Sequence, residues 1–333
     1  MPLRSAGIPV ISSVVAVVIA GVAFLAPAPA AAQDGYPVKP VRMIAPYPPG
    51  GTTDTMARVV ALRLGESFGR QVVVENRPGA AGNIGHELAA RAAPDGYTLL
   101  LTSRGALVNN PYLYRKLPYD PLNDFVLITI VGSSGPVLVV HPTVPAKTVK
   151  ELVALARARP GQLNYGSGGK GTTAHIAGEV FKQIHRIDIQ HVPYKGSILA
   201  VTDLVAGQIE LSFSDMVPAV PQIKGGRLRA LAVAADERLP AIPDVPTMTE
   251  AGVKEKLPDT WWGVAVPKGT PAAIVSRISS ELGKMVQQPD VRERFSSLGV
   301  VPMHTTSERM TELVRTGQPL MAKVFKSAGV EPE

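Results

Sequence analysis

Apolar residues recur along this chain in two alternating rhythms. Short, mostly apolar runs over 41–45, 71–75, 97–103, 125–131, 136–140, 209–213, 228–235 and 263–267 have the length and β-branched character of strands. Between them, apolar residues return at the spacing of one helical face. Examples are Met56, Val59, Val60 and Leu64, then Leu88 and Ala92, then Ile176, Ala177, Val180, Phe181 and Ile184, with further helical patterns over 149–158 and 272–286. Alternating strand and helix patterns predict an α/β architecture.

The turns between these elements are rich in glycine. The run Asn164-Tyr165-Gly166-Ser167-Gly168-Gly169-Lys170-Gly171-Thr172-Thr173-Ala174-His175 opens a helix. Pro46-Tyr47-Pro48-Pro49-Gly50-Gly51-Thr52-Thr53-Asp54 lies between a strand and a helix, and residues 76–85 form a third such turn. Backbone N–H groups at a helix start, together with the helix dipole, favour an anion, phosphate and carboxylate alike. Gly166, Gly168 and Gly171 also match the spacing of a dinucleotide loop, with Asp188 near the place of the ribose-binding acid. Two features weigh against that reading: residues 162–165 make a poor strand, and Lys170 is followed by Gly171, which rules out a P-loop. A small carboxylate is the favoured anion.

The order strand, proline-bearing turn, helix occurs twice, around residues 136–158 and 263–286. These places predict crossovers between two domains, the first made of 33–135 plus 262–333 and the second of 136–261. Short hinge segments join them, since no stretch resembles a long linker. Residues 1–32 read as an export leader. Arg4 precedes an apolar run over 8–25 and a small-residue run over 26–32, with cleavage expected near Ala30 or Ala32 and a membrane anchor as the alternative. The mature protein is expected in the periplasm.

Composition removes several classes of function. The chain has no cysteine, so disulfides, zinc fingers, iron–sulfur clusters and thiol catalysis are excluded. Its net charge is +7, one unit of which leaves with Arg4, and the basic residues are scattered. Aromatic residues make up only 5%. Nucleic-acid binders cluster their basic residues and interleave them with aromatics, so no nucleic-acid partner is expected. There is no G-x-S-x-G elbow and no H-E-x-x-H pair, and the six histidines show no metal-ligand spacing. No catalytic residue, metal or cofactor is therefore expected. His175 reads as packed or capping rather than ligand-binding, and Trp261-Trp262 as a hinge or core pair.

The segments Pro49-Gly50-Gly51-Thr52-Thr53-Asp54, Glu75-Asn76-Arg77-Pro78-Gly79-Ala80-Ala81-Gly82, Pro94-Asp95-Gly96-Tyr97, Tyr165-Gly166-Ser167-Gly168, Val192-Pro193-Tyr194-Lys195-Gly196 and Glu250-Ala251-Gly252 occur in this order over nearly the whole mature chain. In this the protein resembles the tripartite tricarboxylate transporter (TTT) substrate-binding proteins, the Bug family of periplasmic solute receptors. The resemblance implies a periplasmic-binding-protein type II-like Venus flytrap, in which two α/β domains close on a small carboxylate ligand. It also implies a monomer that delivers this ligand to membrane transporter subunits. A membrane sensor is an alternative partner, and a secreted enzyme using the same cleft a more distant one. Carried over by position, Tyr47, Gly50, Gly51 and Thr52 form one wall. Ser167, Gly168, Gly171, Thr172 and Thr173 grip a carboxylate from the other domain, where Tyr194, Lys195 and Gly196 line the same wall. Ser103 and Asp215 are further candidates; Asp215 reads equally as a solvated turn residue and Lys195 as a surface charge. Arg104 departs from the family pattern, and if it faced the cleft it would bind a distal carboxylate as a fork.

Overall fold

The structure, a computed structural model, describes residues 35–328 together with Pro2, Glu331 and Pro332. Apart from Pro2, the expected leader and its cleavage site lie outside the described residues.

The chain begins with β1 (Val41–Ala45), α1 (Thr52–Phe68), β2 (Val72–Asn76), α2 (Asn83–Ala90), β3 (Thr98–Ser103) and β4 (Phe125–Ser134). It then passes through β5 (Val137–Val140), α3 (Val149–Ala158), β6 (Asn164–Ser167), α4 (Thr173–His185), β7 (Gln190–Pro193), α5 (Ser197–Val205), β8 (Leu211–Ser214), α6 (Met216–Lys224) and β9 (Arg229–Val233). It ends with β10 (Thr260–Pro267), α7 (Ala272–Met285), α8 (Pro289–Ser297), β11 (Val301–Pro302) and α9 (Ser307–Ala328). Two mixed sheets result, with strand orders β11-β4-β10-β3-β1-β2 and β7-β6-β8-β5-β9. In the first, β1 runs parallel to β2 and β3; in the second, β6 runs parallel to β7 and β8. Strands β10 and β5 run against their neighbours.

Strands β3, β5 and β10 are buried at every position, on both faces of their sheets, which is why they read as near-continuous apolar runs. Side chains alternate across the sheet. Met43, Leu99 and Leu101 accordingly join one apolar cluster with Met56 and Leu64 of α1, while Ile44 and Leu100 join another with Met310 and Val314 of α9. In the second sheet Leu138 and Val140 meet Phe181 of α4, and Val137 and Val139 meet Val201 and Leu204 of α5. Fully burying one such side chain stabilises the fold by about 1.5–3 kcal/mol.

Strand β6 departs from the expectation. Its sequence, Asn164 to Ser167, is polar, and residues 162–165 read as a poor strand. It forms because β7 and β8 pair with it on either side. Its apolar contribution is one residue, Tyr165, which is fully buried and stacks on His191 with ring centroids 4.8 Å apart.

The chain leaves the first sheet between β4 and β5 and returns between β9 and β10. The two passages touch: the Ala234 N–H donates to the Pro136 carbonyl at 2.9 Å. At Gly135 they come so close that a Cβ would overlap the Ala234 carbonyl oxygen. The obstacle is backbone, which cannot swing aside as a flexible side chain can. Gly135→Ala is therefore expected to cost about 1–3 kcal/mol of stability. Urea unfolding checks this, and an unchanged midpoint would show that the two crossover strands are free to move apart.

Candidate functional site

In both sheets the parallel strands end toward the same place, and helices start there. Gly51 precedes α1, Thr172 precedes α4, Gly196 precedes α5 and Asp215 precedes α6. All four residues line one cavity of about 510 Å³, part of it open to solvent, together with Thr52, Thr53, Thr173 and Ser197 from the first turns of these helices. Tyr47, Pro48, Ser103, Gly105, Gly168, Ile198, Thr260 and Trp262 complete the lining. The site is thus made of residues from the connections of both sheets. It contains hydroxyls and helix N-termini but no Lys or Arg side chain.

Two lining hydroxyls stand out chemically. Thr52 Oγ1 and Thr173 Oγ1 are buried without a hydrogen-bond partner, one on each side of the cavity. A buried hydroxyl left unpaired costs about 1–3 kcal/mol, so its place is explained if something else completes its bond. Thr53 differs, because its hydroxyl accepts the Trp262 indole N–H at 3.1 Å and is thereby held in place. Trp262 combines the expected core role with a place in the lining, since it is buried in the main cluster of the first sheet. Sequence reasoning missed Pro48, Thr53, Gly105, Ser197, Ile198, Thr260 and Trp262 as lining residues. Thr53 and Ser197 carried a usable signal, as each sits in the first turn of a helix whose neighbouring residues were already candidates.

Of the candidates from sequence, Tyr47, Gly51, Thr52, Ser103, Gly168, Thr172, Thr173, Gly196 and Asp215 are brought together around this cavity. The structure places Gly50, Ser167, Gly171, Tyr194 and Lys195 outside its lining. Gly50 has φ +82° and donates its N–H to the Asp54 carboxylate at 2.9 Å, shaping the turn before α1. Ser167 is buried and braces its own loop: its hydroxyl lies 2.7 Å from His191 Nε2 and accepts the Gly169 N–H at 3.1 Å. Gly171 (φ +83°) donates its N–H to His175 Nδ1 at 3.2 Å, and its carbonyl accepts the Asn109 side-chain amide at 2.7 Å. That second bond runs between the loops of the two sheets. Tyr194 donates to Asp203 at 2.8 Å, and Lys195 is exposed. Both line a neighbouring cavity that shares Tyr47 and Gly168 with the first. Arg104 does not line either cavity; its guanidinium points to the Asp259 carbonyl and the Met321 sulfur, so the forked contact to a ligand is not formed. His175 is packed as expected, stacked on His191 with centroids 4.2 Å apart.

Electrostatics follow from burial. The Tyr47 hydroxyl is pushed up to about 12, chiefly by desolvation, with the Asp215 charge adding to the shift and Ser103 opposing it. Burial raises the Asp215 carboxyl, against the effect of its hydrogen bond with Ser197. His86 anchors the third glycine turn. It lies 2.8 Å from both the Gly82 carbonyl and the Thr102 hydroxyl, which requires Nδ1 to donate and Nε2 to accept. Burial pulls His86 down to about 4. It also pulls His191 down to about 3, helped by His175, Lys182 and Lys170. Among the described residues no cluster of His, Asp or Glu could hold a metal ion, and no helix is long and apolar enough to cross a membrane.

The two-sheet α/β fold that carries this donor-lined cavity between its sheets is shared with solved periplasmic binding proteins. The chain belongs to the TctC family, described as the tripartite tricarboxylate transporter family receptor, whose model matches residues 56–329. It is 37% identical to "Protein BugT" of Bordetella pertussis over 320 residues, covering 96% of this chain and 97% of the relative. Two solved structures are similar throughout. "R. palustris Rpa4515 with adipate" has a TM-score of 0.87 at 32% identity, covering 90% of this chain and 100% of that one. "MatC (Rpa3494) from Rhodopseudomonas palustris with bound malate" has a TM-score of 0.82 at 30% identity, covering 87% and 99%. The ligands named in the two structures, adipate and malate, are carboxylates.

Two expectations follow from this geometry. Thr52→Val and Thr173→Val replace an unpaired buried hydroxyl with a methyl group, so thermal stability without ligand should stay level or rise. Carboxylate affinity should fall about tenfold, as a hydrogen bond to a charged group is worth about 1.5–3 kcal/mol. A Tm loss of several degrees in both variants would mean that the hydroxyls have protein partners. The second expectation concerns pH. Folded His86 and His191 hold their protons less tightly than they do in the unfolded chain, where the value is near 6.5. Their contribution is complete above pH 6.5 and is lost as pH falls toward 4 and then 3, at up to about 1.4 kcal/mol per pH unit for each histidine. Urea unfolding at pH 7.5 and 5 checks the sign, and His86→Asn should flatten the slope.

Proposed function

We propose that the protein captures a small organic carboxylate in the cavity between its two sheets and delivers it to a tripartite tricarboxylate-type membrane transporter. The observation that carries this reading is the convergence of four helix N-termini and two unpaired buried hydroxyls on a cavity without a basic side chain. Backbone N–H groups and hydroxyls make short, charge-assisted bonds to a carboxylate. Adipate in one similar structure and malate in another support the same ligand class here.

In this reading the ligand is gripped by Thr52 and Gly51 from one wall and by Gly168, Thr172 and Thr173 from the other, with Tyr47, Ser103 and Gly196 closing the space. Ser167 and Gly171 act one step back, holding the loop that carries Gly168. The lobes divide at 135/136 and 261/262, and the protein works as a monomer that binds without turnover. Family membership supports a periplasmic location, with the leader removed near Ala30 or Ala32.

A thermal-shift and calorimetric screen of the purified protein against mono-, di- and tricarboxylates, with NAD as control, tests this reading. A ligand at a hundred times its dissociation constant adds about 2.7 kcal/mol of stability, and a shift with carboxylates but not with NAD is expected. A shift with NAD alone would restore the dinucleotide reading of Gly166, Gly168 and Gly171. Conversion of a bound acid to product would make the protein an enzyme.

A further inference from the structure

The cavity contains one ionisable carboxyl, that of Asp215, and no cation to balance it. Aspartate immediately before a helix normally turns back to accept a hydrogen bond from the N–H groups of the first turn. Asp215 does not. Its backbone has ordinary N-cap geometry (φ −62°, ψ 146°), yet its side chain makes no capping bond to α6. It lines the cavity instead, beside Ser197, the first residue of α5. Its burial disfavours the charged form, and its charge is felt at the Tyr47 hydroxyl.

A carboxylate in a cavity otherwise made of donors is a poor neighbour for a second carboxylate, because like charges in one low-dielectric site repel. The repulsion is relieved if the ligand places a hydrogen-bond donor between its own carboxylate and the protein's. Asp215 is the one carboxyl of the lining, so a ligand hydroxyl or ammonium makes a charge-assisted bond to it, stronger than one to a neutral Ser or Thr hydroxyl, without competing for the helix N-termini. Thr52, Thr173 and the backbone N–H groups then hold the ligand carboxylate, and Asp215 takes the donor.

We propose that Asp215 is the specificity-determining residue of the cavity, selecting carboxylates that carry a hydroxyl or ammonium group next to the carboxylate over acids of equal length without one. The proposal rests on the carboxylate-receptor reading and narrows it. A site built around a hydrogen bond to a ligand OH or NH discriminates strongly against analogues that lack it, because its own polar group is left unpaired. The preference is expected to be at least about tenfold.

The test uses acids matched in length, with succinate, malate and aspartate as one series and adipate, 2-hydroxyadipate and 2-aminoadipate as the other. Calorimetry on the purified wild-type protein comes first, so the result does not depend on any variant folding. A preference for the substituted acids within a series is the expected result, and the hydroxy and amino arms show which donor is taken. Asp215→Asn keeps the size of the side chain and removes its charge. It should erase the preference for an ammonium ligand, reduce that for a hydroxyl ligand, and improve binding of the unsubstituted diacid. The proposal is overturned if wild type binds the unsubstituted acids as tightly as the others, since Asp215 would then be protonated and donating to the second carboxylate. It is also overturned if Asp215→Asn keeps the full preference. If none of the six acids binds, the proposal is overturned for dicarboxylates, while the carboxylate-receptor reading fails only if the wider screen of mono-, di- and tricarboxylates is also silent, so the two failures are seen separately.

Discussion

Everything at the binding site depends on helix starts meeting in one cavity. Strands β1, β6, β7 and β8 all end there, and each leads into a helix whose first turn or capping residue lines the cavity. This is the crevice beyond the carboxyl ends of parallel strands where open α/β sheets hold their ligands. A single helix N-terminus contributes about 0.3–1 kcal/mol to a nearby anion, rising to ~2 when partly buried. At the lower range four of them give about 1–4 kcal/mol, short of the roughly 8 kcal/mol that micromolar binding needs, and only at the upper limit would they approach it. Direct hydrogen bonds and the exclusion of water therefore supply the balance. A buried lysine would bring more charge, but its own desolvation would cost several kcal/mol. Backbone dipoles are already desolvated and fixed when the ligand arrives.

The supports behind the cavity are more extensive than the lining itself. Trp262 holds the Thr53 hydroxyl from the first sheet. His191 and Ser167 hold the loop of the second. Tyr47 donates to the Ala81 carbonyl at 3.0 Å and so ties the third glycine turn to the first. His86 secures the far end of the same turn. Glycine loops alone would be loose, and side chains that cross from one loop to the next make them a fixed surface.

Much of this was legible in the sequence, and the gaps have physical causes. The helix over 149–158 and the strand over 41–45 were readable because local pattern and burial agree there. Strand β6 was not, because it is held by its neighbours rather than by its own side chains. Residue types pointed to the loops that line the cavity but not to the direction of each side chain. Gly50 and Gly171 are glycines for backbone conformation, and Ser167 spends its hydroxyl inside its own loop. Arg104 could not be oriented from sequence at all, since its partners come from Asp259 and Met321, far along the chain.

The manner in which the two walls meet explains why so many of these loop residues are small. Gly196 has φ +144°, and a Cβ there would lie 2.9 Å from Pro48 on the opposite wall. A Cβ on Gly105 would come within 3.2 Å of the Gly171 carbonyl. Larger residues would hold the walls apart and let water reach the cavity. With glycine at these points, the Asn109 amide reaches the Gly171 carbonyl across the cleft, and Ile176 of α4 joins the apolar cluster of the first sheet beside Leu107 and Met310. Contact between the walls thus does two things at once. It buries apolar surface near α9, and it lowers the local dielectric around the helix starts, where every donor then acts more strongly on an anion. The same exclusion of water makes the charge of Asp215 costly unless the ligand meets it with a donor. The features that strengthen carboxylate binding are therefore also those that let a single acidic residue discriminate among carboxylates.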